Sequence, residues 1–223
     1  MNMKIATWNI DRLKSNKNVF PIVECIQKID ADILILTEYN SILELPYYEY
    51  KITTEQLPES PYHYKETERR VAIFSKFPIK KSFKTYDSQT SCCVELATNF
   101  GNLIVYGTVV GIIGNTDLDF KTDLIKQTED ISTISKFGNF CYAGDLNISF
   151  SDNYYFTKFG RETFLECFKG NQLTNLTGSI SENIDHIVLT ESFATQFKSE
   201  ISEWNTDKTL SDHKGICLNL NII

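Results

Sequence analysis

Histidine is scarce in this chain: there are three in 223 residues, His63, His186 and His213, and none stands at a spacing from cysteine that would build a zinc site. The six cysteines, Cys25, Cys92, Cys93, Cys141, Cys167 and Cys217, contain no C-x-x-C pair, and most lie inside apolar runs. They read as buried free thiols in a reducing, cytoplasmic setting, which excludes a disulfide framework. Long apolar runs are missing too. The most apolar of the uncharged stretches, residues 103–116, is broken by glycines and falls short of the roughly 20 residues that cross a bilayer. The opening MNMKIATWN enters a strand-like pattern at once, without the apolar stretch of roughly 7–15 residues that a secretion signal needs. No membrane span is expected. No internal repeat or low-complexity tract is present, and turn-forming residues cluster only in short stretches at 58–61 and 171–181. With 42% apolar residues, the chain is expected to fold as one domain over 1–223.

The formal net charge of −7 disfavours a bulk polyanion as partner. Its distribution is uneven. Residues 65–84 carry seven basic side chains (Lys65, Arg69, Arg70, Lys76, Lys80, Lys81, Lys84) against Glu66 and Glu68, a local +5. Two readings are open: lysines that guard an edge strand against aggregation, or a local face that contacts phosphate.

Short apolar runs at 5–8, 33–36, 71–74, 94–97, 103–110, 140–143, 187–189 and 216–220 are rich in β-branched and aromatic residues and imply eight or more strands. Two segments have helical spacing. Val19, Ile22, Val23, Ile26 and Ile29 follow one face, with Asn18 placed to cap and Pro21 in the first turn. Leu124, Ile125, Thr128, Ile131 and Ile134 repeat the pattern before Gly138, and residues 161–168 form a shorter candidate. Strands interrupted by a few helices predict two packed sheets with helices outside them.

The informative polar residues lie at the ends of the apolar runs. Asn9, Glu38 and Asp145 follow such runs, whereas Asp185, Asp212 and His213 precede them. If the second group of strands runs antiparallel to the first, all six reach one edge. A hard cation such as Mg²⁺ takes oxygen ligands, often one or two carboxylates with water and substrate phosphate completing the shell. Glu38 is the leading ligand candidate, with Asn9 and Asp212 completing or supporting it. Asp145 can accept a proton from water, and Asn147, two residues on, can hold a phosphate oxygen. A charged His213 beside Asp212 would stabilise the phosphoryl oxygens, with Asp185 fixing its tautomer. Each piece alone is an ordinary turn or solvated charge; their conjunction in this order points to chemistry at a phosphate ester.

Trp8-Asn9-Ile10, Leu36-Thr37-Glu38, Val71-Ala72-Ile73-Phe74-Ser75, Gly144-Asp145-Leu146-Asn147, Ile184-Asp185-His186-Ile187 and Ser211-Asp212-His213 resemble the ordered motifs of the endonuclease/exonuclease/phosphatase superfamily, the deoxyribonuclease I-like fold. The resemblance spans residues 4–220. It implies an α/β four-layer sandwich of two packed, mainly antiparallel β-sheets flanked by helices, dependence on Mg²⁺ or Mn²⁺, and cleavage of a phosphoester. It also implies Glu38 as principal metal ligand with Asn9 and Asp212 near it, Asp145 and Asn147 orienting water and phosphate, and a histidine, His213, supported by Asp185. The sequence departs from the family pattern where many members place a second histidine or a tyrosine. Thr108 or Val109 stands there, and the missing contact would fall to the Thr108 hydroxyl, Tyr106 or His63. Arg70 occupies a place where glycine is common, and Glu68 is expected to be a solvated charge.

The leading expectation is a nuclease acting on DNA or RNA as a monomer, with Tyr47, Tyr48, Tyr62 and Tyr64 available to stack on bases. The acidic total suits a small phosphoester instead, such as a nucleotide, inositol phosphate or lipid headgroup. A non-catalytic binding domain on the same scaffold is the third reading.

Overall fold

Alternation along the first strand sets the layers. In the computed structural model, which describes residues 2–14, 19–57, 64–111 and 114–223, Met3 and Ile5 of β1 (Asn2–Asn9) enter the core between two sheets, while Ala6 and Trp8 face outward onto a helix. Asn18, Tyr62, His63 and the loop at 58–61 lie outside the described residues.

The first sheet joins β1 to β2 (Ile33–Asn40), β3 (Tyr50–Thr53), β4 (Glu68–Ser75), β11 (Phe197–Trp204) and β12 (Gly215–Ile222), in the order β11-β12-β1-β2-β4-β3. The second contains β5 (Ile79–Phe83), β6 (Ser91–Thr98), β7 (Gly101–Val109), β8 (Asn139–Asp145), β9 (Leu173–Asn175) and β10 (Asp185–Thr190), in the order β5-β6-β7-β8-β10-β9. Each sheet has one parallel pair at its centre, β1 with β2 and β7 with β8, and antiparallel pairs elsewhere. Ile33, Ile35, Val71, Ile73, Val94, Val105 and Leu218 are among the residues that fill the space between the sheets.

Helix α1 (Phe20–Ile29) covers the first sheet through Ile22 and Ile26, with Pro21 in its first turn. On the far side, α2 (Leu118–Ile134) and α3 (Lys158–Gly170) cover the second sheet through Phe120, Leu124, Ile131, Phe164 and Phe168. A short α4 (Glu191–Ala194) follows β10. The result is the four-layer α/β sandwich that the sequence led us to expect. The outer helices start earlier than their apolar period shows, because side chains cap their first turns: Asp117 accepts from the amide of Phe120 at 2.7 Å, and Thr157 from that of Gly160 at 3.0 Å.

The register delivers the polar strand ends to one edge. Asn9 lies opposite Thr37 in the parallel β1–β2 pair, Val109 opposite Asp145 in β7–β8, and Asp145 opposite Asp185 in the antiparallel β8–β10 pair. Strand β12 runs antiparallel to β1, so the segment just before it, Ser211-Asp212-His213, arrives where β1 ends. The basic segment, by contrast, forms no single face. Lys80 and Lys81 sit on the exposed edge strand β5, as a guard would; Lys76 is bonded to Asp30 and Asp32 at the start of β2; Arg70 is buried.

Candidate active site

Five of the seven candidate residues gather in one array of two hydrogen-bonded groups, Asn9, Asp145 and Asn147 in one and Asp185 and His213 in the other. Asp145 sits at the end of β8, where its Oδ2 accepts from Asn9 Nδ2 at 3.0 Å and its Oδ1 from the backbone amide of Asn147 at 2.9 Å. Asn147, in a left-handed conformation with φ +52°, donates its amide to the carbonyl of Val110 at 2.9 Å. Asp185, at the start of β10, receives His213 Nδ1 on Oδ2 at 2.6 Å, while its Oδ1 is buried without a partner. The other ring nitrogen of His213 lies 3.9 Å from Asp145 Oδ2 and 3.9 Å from Asp212 Oδ1. Those gaps are too long for direct hydrogen bonds and short enough for one oxygen atom to bridge.

Scaffold contacts explain why the array is fixed. Ser211 donates its hydroxyl to the carbonyl of Asn9 at 2.6 Å, tying the loop before β12 to the end of β1. Trp8, buried edge-on against Trp204, donates its indole N–H to the carbonyl of His213 at 3.1 Å, and Asn205 reaches the same carbonyl at 2.7 Å. Gly144 has φ +137°, and a Cβ there would stand 2.0 Å from the carbonyl oxygen of Thr108. The close approach of β7 and β8 beside Asp145 therefore requires glycine.

Burial and charge push the two titrating groups upward together. Burial raises the Asp145 carboxyl, and the Asp185 carboxylate raises it further; the His213 charge and hydrogen bonds from Asn147 and Asn9 offset this, leaving it at about 7. Burial alone would lower the His213 imidazole, but Asp185, Asp145 and Asp212 outweigh it and hold the ring up to about 10. A carboxylate poised near neutrality thus faces an imidazolium across a gap one oxygen wide. His186, which directly follows Asp185, is different: fully buried, it contacts the carbonyl of Ile148 at 2.9 Å and Thr177 at 3.3 Å, and burial lowers it to about 4. It is a neutral core residue.

Glu38 reaches the same edge but belongs to a separate cluster. It interrupts the alternation of β2, with φ +47°, so that Leu36 and Tyr39, three apart, both face the α1 side. Opposite it, Arg70 and Val71 both donate their backbone amides to Thr54 Oγ1 at 3.2 Å, a bulge that turns the Arg70 side chain between the sheets. The Tyr64 hydroxyl lies 2.6 Å from each oxygen of Glu38, Arg12 Nε stands 3.2 Å from Oε2, and Arg12 Nη1 is 3.6 Å from Glu68. Glu68 is buried rather than solvated as expected, because its carboxylate also accepts from the amide of Lys65 at 2.9 Å. Tyr64 and Tyr48 are likewise buried, not free to stack.

A divalent cation needs oxygens turned to a common point. Both oxygens of Glu38 are held by Tyr64, and one also by Arg12; Asn9 Oδ1 accepts from the amide of Asp11 at 2.9 Å; Asp212, its side chain 77% exposed, faces His213 from the rim. Among the described residues, no group of three or more His, Cys, Asp or Glu side chains is gathered to hold a metal. Glu38, Asn9 and Asp212 have the right donor chemistry but, so arranged, do not fit the ion.

The substitutes considered for a second histidine also point elsewhere. Thr108 donates to Gln127 of α2 at 2.9 Å, Tyr106 to Asp130 at 2.9 Å, and Val109 packs in the core. Arg70 reaches that strand end instead, its Nη2 donating to the carbonyls of Val109 (3.4 Å) and Gly111 while Nε and Nη1 remain buried and unpartnered. In the sequence Arg70 stands out only as one of the basic residues of 65–84 and as a departure from the family pattern. Beside His213 opens a cleft of about 440 Å³ lined by residues including Asn147, Tyr154, Tyr155, Asp185, Lys208 and Lys214. Tyr154 is 49% exposed, and the Lys208 amine stands 4.9 Å above its ring.

Comparisons with known proteins bear on the fold and the family. Among curated protein sequences none matches. Solved structures share the fold at low identity. A 3'-5' exonuclease from Neisseria meningitidis superposes with a TM-score of 0.71 at 17% identity, over 98% of this chain and 100% of the other. A 3' phosphatase from Neisseria bound to product DNA hairpin gives 0.70 at 17%, over 99% of each chain. An AP endonuclease from Leishmania major gives 0.75 at 14%, over 100% of this chain and 88% of the other. The family model described as Endonuclease/Exonuclease/phosphatase family matches residues 6–213, a span that holds every residue of the array: the chain belongs to that family.

Proposed function

We propose that the protein is a phosphoesterase that hydrolyses a phosphodiester of nucleic acid. The observation that carries the reading is the oxygen-wide gap between Asp145 and His213, closed behind by Asp185, Asn9 and Asn147. In it Asp145 takes a proton from water as the oxygen attacks phosphorus, the bond from phosphorus to the ester oxygen breaks on the opposite side and that oxygen leaves as an alcohol with a proton from solvent, and the His213 imidazolium, held charged by Asp185, stabilises the negative phosphoryl oxygens. Asn147, fixed to the carbonyl of Val110, orients a phosphoryl oxygen. A divalent ion, Mg²⁺ or Mn²⁺, would supply further charge stabilisation, with Glu38 as its first ligand once that carboxylate is released.

The polynucleotide reading draws support from the cleft, where exposed Tyr154 offers a stacking surface and Lys208 supplies positive charge, and from structural neighbours that include a 3'-5' exonuclease and a 3' phosphatase bound to product DNA hairpin. A small phosphoester is the second reading, favoured by the net charge of −7. The six unpaired thiols support a cytoplasmic setting, and a monomer is the proposed form. A substrate panel of abasic duplex, single-stranded DNA, RNA, nucleotides and inositol phosphates, assayed with Mg²⁺ and at two salt concentrations, tests this. Hydrolysis of a polynucleotide that falls steeply with added salt is the expected result; turnover of nucleotides or inositol phosphates alone, indifferent to salt, would transfer the site to the second reading.

A further inference from the structure

The cluster around Glu38 is built at visible conformational expense. Asp11, Arg12 and Leu13 are three successive non-glycine residues with positive φ (+44°, +53° and +63°), and Glu38 is a fourth at +47°. The turn is held by named bonds: the Asp11 amide on Asn9 Oδ1 at 2.9 Å, the Leu13 amide on the carbonyl of Ile10 at 2.9 Å, and Asn40 Nδ2 on the carbonyl of Arg12 at 3.2 Å. Its product is one placement, the Arg12 guanidinium stacked 4.4 Å from the centre of the Tyr64 ring and set between the carboxylates of Glu38 and Glu68.

From this arrangement we propose that Arg12 is an internal cation that occupies Glu38 and Glu68 in the resting protein, so that a divalent metal reaches Glu38 only by displacing it. The inference concerns access to the site of the proposed phosphoesterase and rests on that reading for its functional consequence, but its test does not depend on turnover. Charge counting sets the direction. Two carboxylates and one guanidinium carry −1; a divalent ion added with Arg12 in place would leave +1 and crowd two cations in a pocket where the Glu38 side chain is 17% exposed. With Arg12 swung out, the ion and the two carboxylates sum to zero. Arg69 donates to the carbonyls of Glu66 and Glu68, and Arg70 has Asp123 as its own counter-charge and its hydrogen bonds to the Val109 and Gly111 carbonyls. Tyr64 adds a second restraint, since its hydroxyl sits against both oxygens that a metal would use.

Metal affinity is therefore set by how easily Arg12 leaves, and removing it tightens binding. Wild type, Arg12→Gln and the double variant Arg12→Gln/Glu38→Gln are titrated with Mn²⁺ alone, by calorimetry and by loss of the free-ion electron paramagnetic resonance signal, with circular dichroism as a check on folding. Arg12→Gln is expected to bind Mn²⁺ at least about tenfold more tightly than wild type, and the double variant to lose that gain. Equal affinity in wild type and Arg12→Gln, or a gain that survives Glu38→Gln, overturns the proposal. If Arg12→Gln does not fold, Tyr64→Phe asks the same question through the other restraint: a several-fold tightening supports the proposal, and unchanged affinity overturns it. Failure of either arm leaves the hydrolytic reading to the activity assays, which measure different residues.

Discussion

At the scale of single residues, Asp145 is held in a state that favours chemistry over stability. Its carboxyl is raised from 3.8 to about 7, chiefly by burial, so the folded protein resists its ionisation while the unfolded chain does not. The stability that comes from keeping it protonated is complete below about pH 4 and is lost as pH rises through about 7. Asp145→Asn removes this liability. Thermal melts of wild type and variant should coincide near pH 4, separate as pH rises to 7 with the variant the more stable, and stay separated above. His213 titrates in the same sense, its contribution present in full below 6.5 and lost as pH rises through about 10; because the Asp145 charge helps to hold it up, the variant loses less of that contribution, which widens the separation at alkaline pH. A variant that melts lower than wild type at pH 8 would mean that the Asp145 charge is well solvated or well paired. The residues of this array were legible in the sequence because each is a polar side chain beside an apolar run. Arg12, Tyr64 and Glu68 were not, since a cluster held by a left-handed turn and a bulge leaves no periodic trace.

At the scale of elements, strand ends place the chemistry, and β7 and β8 meet closely there. Gly144 lies within that contact, and a methyl group there would collide with the backbone of Thr108 in a conformation that L side chains rarely adopt. Gly144→Ala is expected to lower unfolding free energy by about 3 kcal/mol, combining overpacking with backbone strain, and to displace Asp145, its chain neighbour. Urea denaturation measures the first effect; a loss below about 0.5 kcal/mol would show that the two strands can part freely. The buried strands were readable from their β-branched runs, whereas β3, β5, β9 and β11 were not. Strand β11 shows the reason: from Lys198 to Glu203 its side chains are exposed, so no apolar alternation marks it, and pairing with β12 alone makes it a strand.

At the scale of the whole molecule, two six-stranded sheets with the same sequence of pair orientations bring the ends of β1, β2, β7 and β8 and the starts of β4, β10 and β12 to one edge. That convergence was legible from which polar residues follow apolar runs and which precede them. The separation of Glu38 from Asp145 was not, because it depends on which side chains close on each carboxylate after the strands have met. Hydrolysis at this edge depends on the array of Asp145, Asp185 and His213. The most direct test is the rate of hydrolysis of an aryl phosphodiester by wild type and by His213→Gln, with far-ultraviolet circular dichroism showing both folded. The array predicts a loss of about 10³-fold in kcat for the variant; turnover equal to wild type in a folded His213→Gln would contradict it.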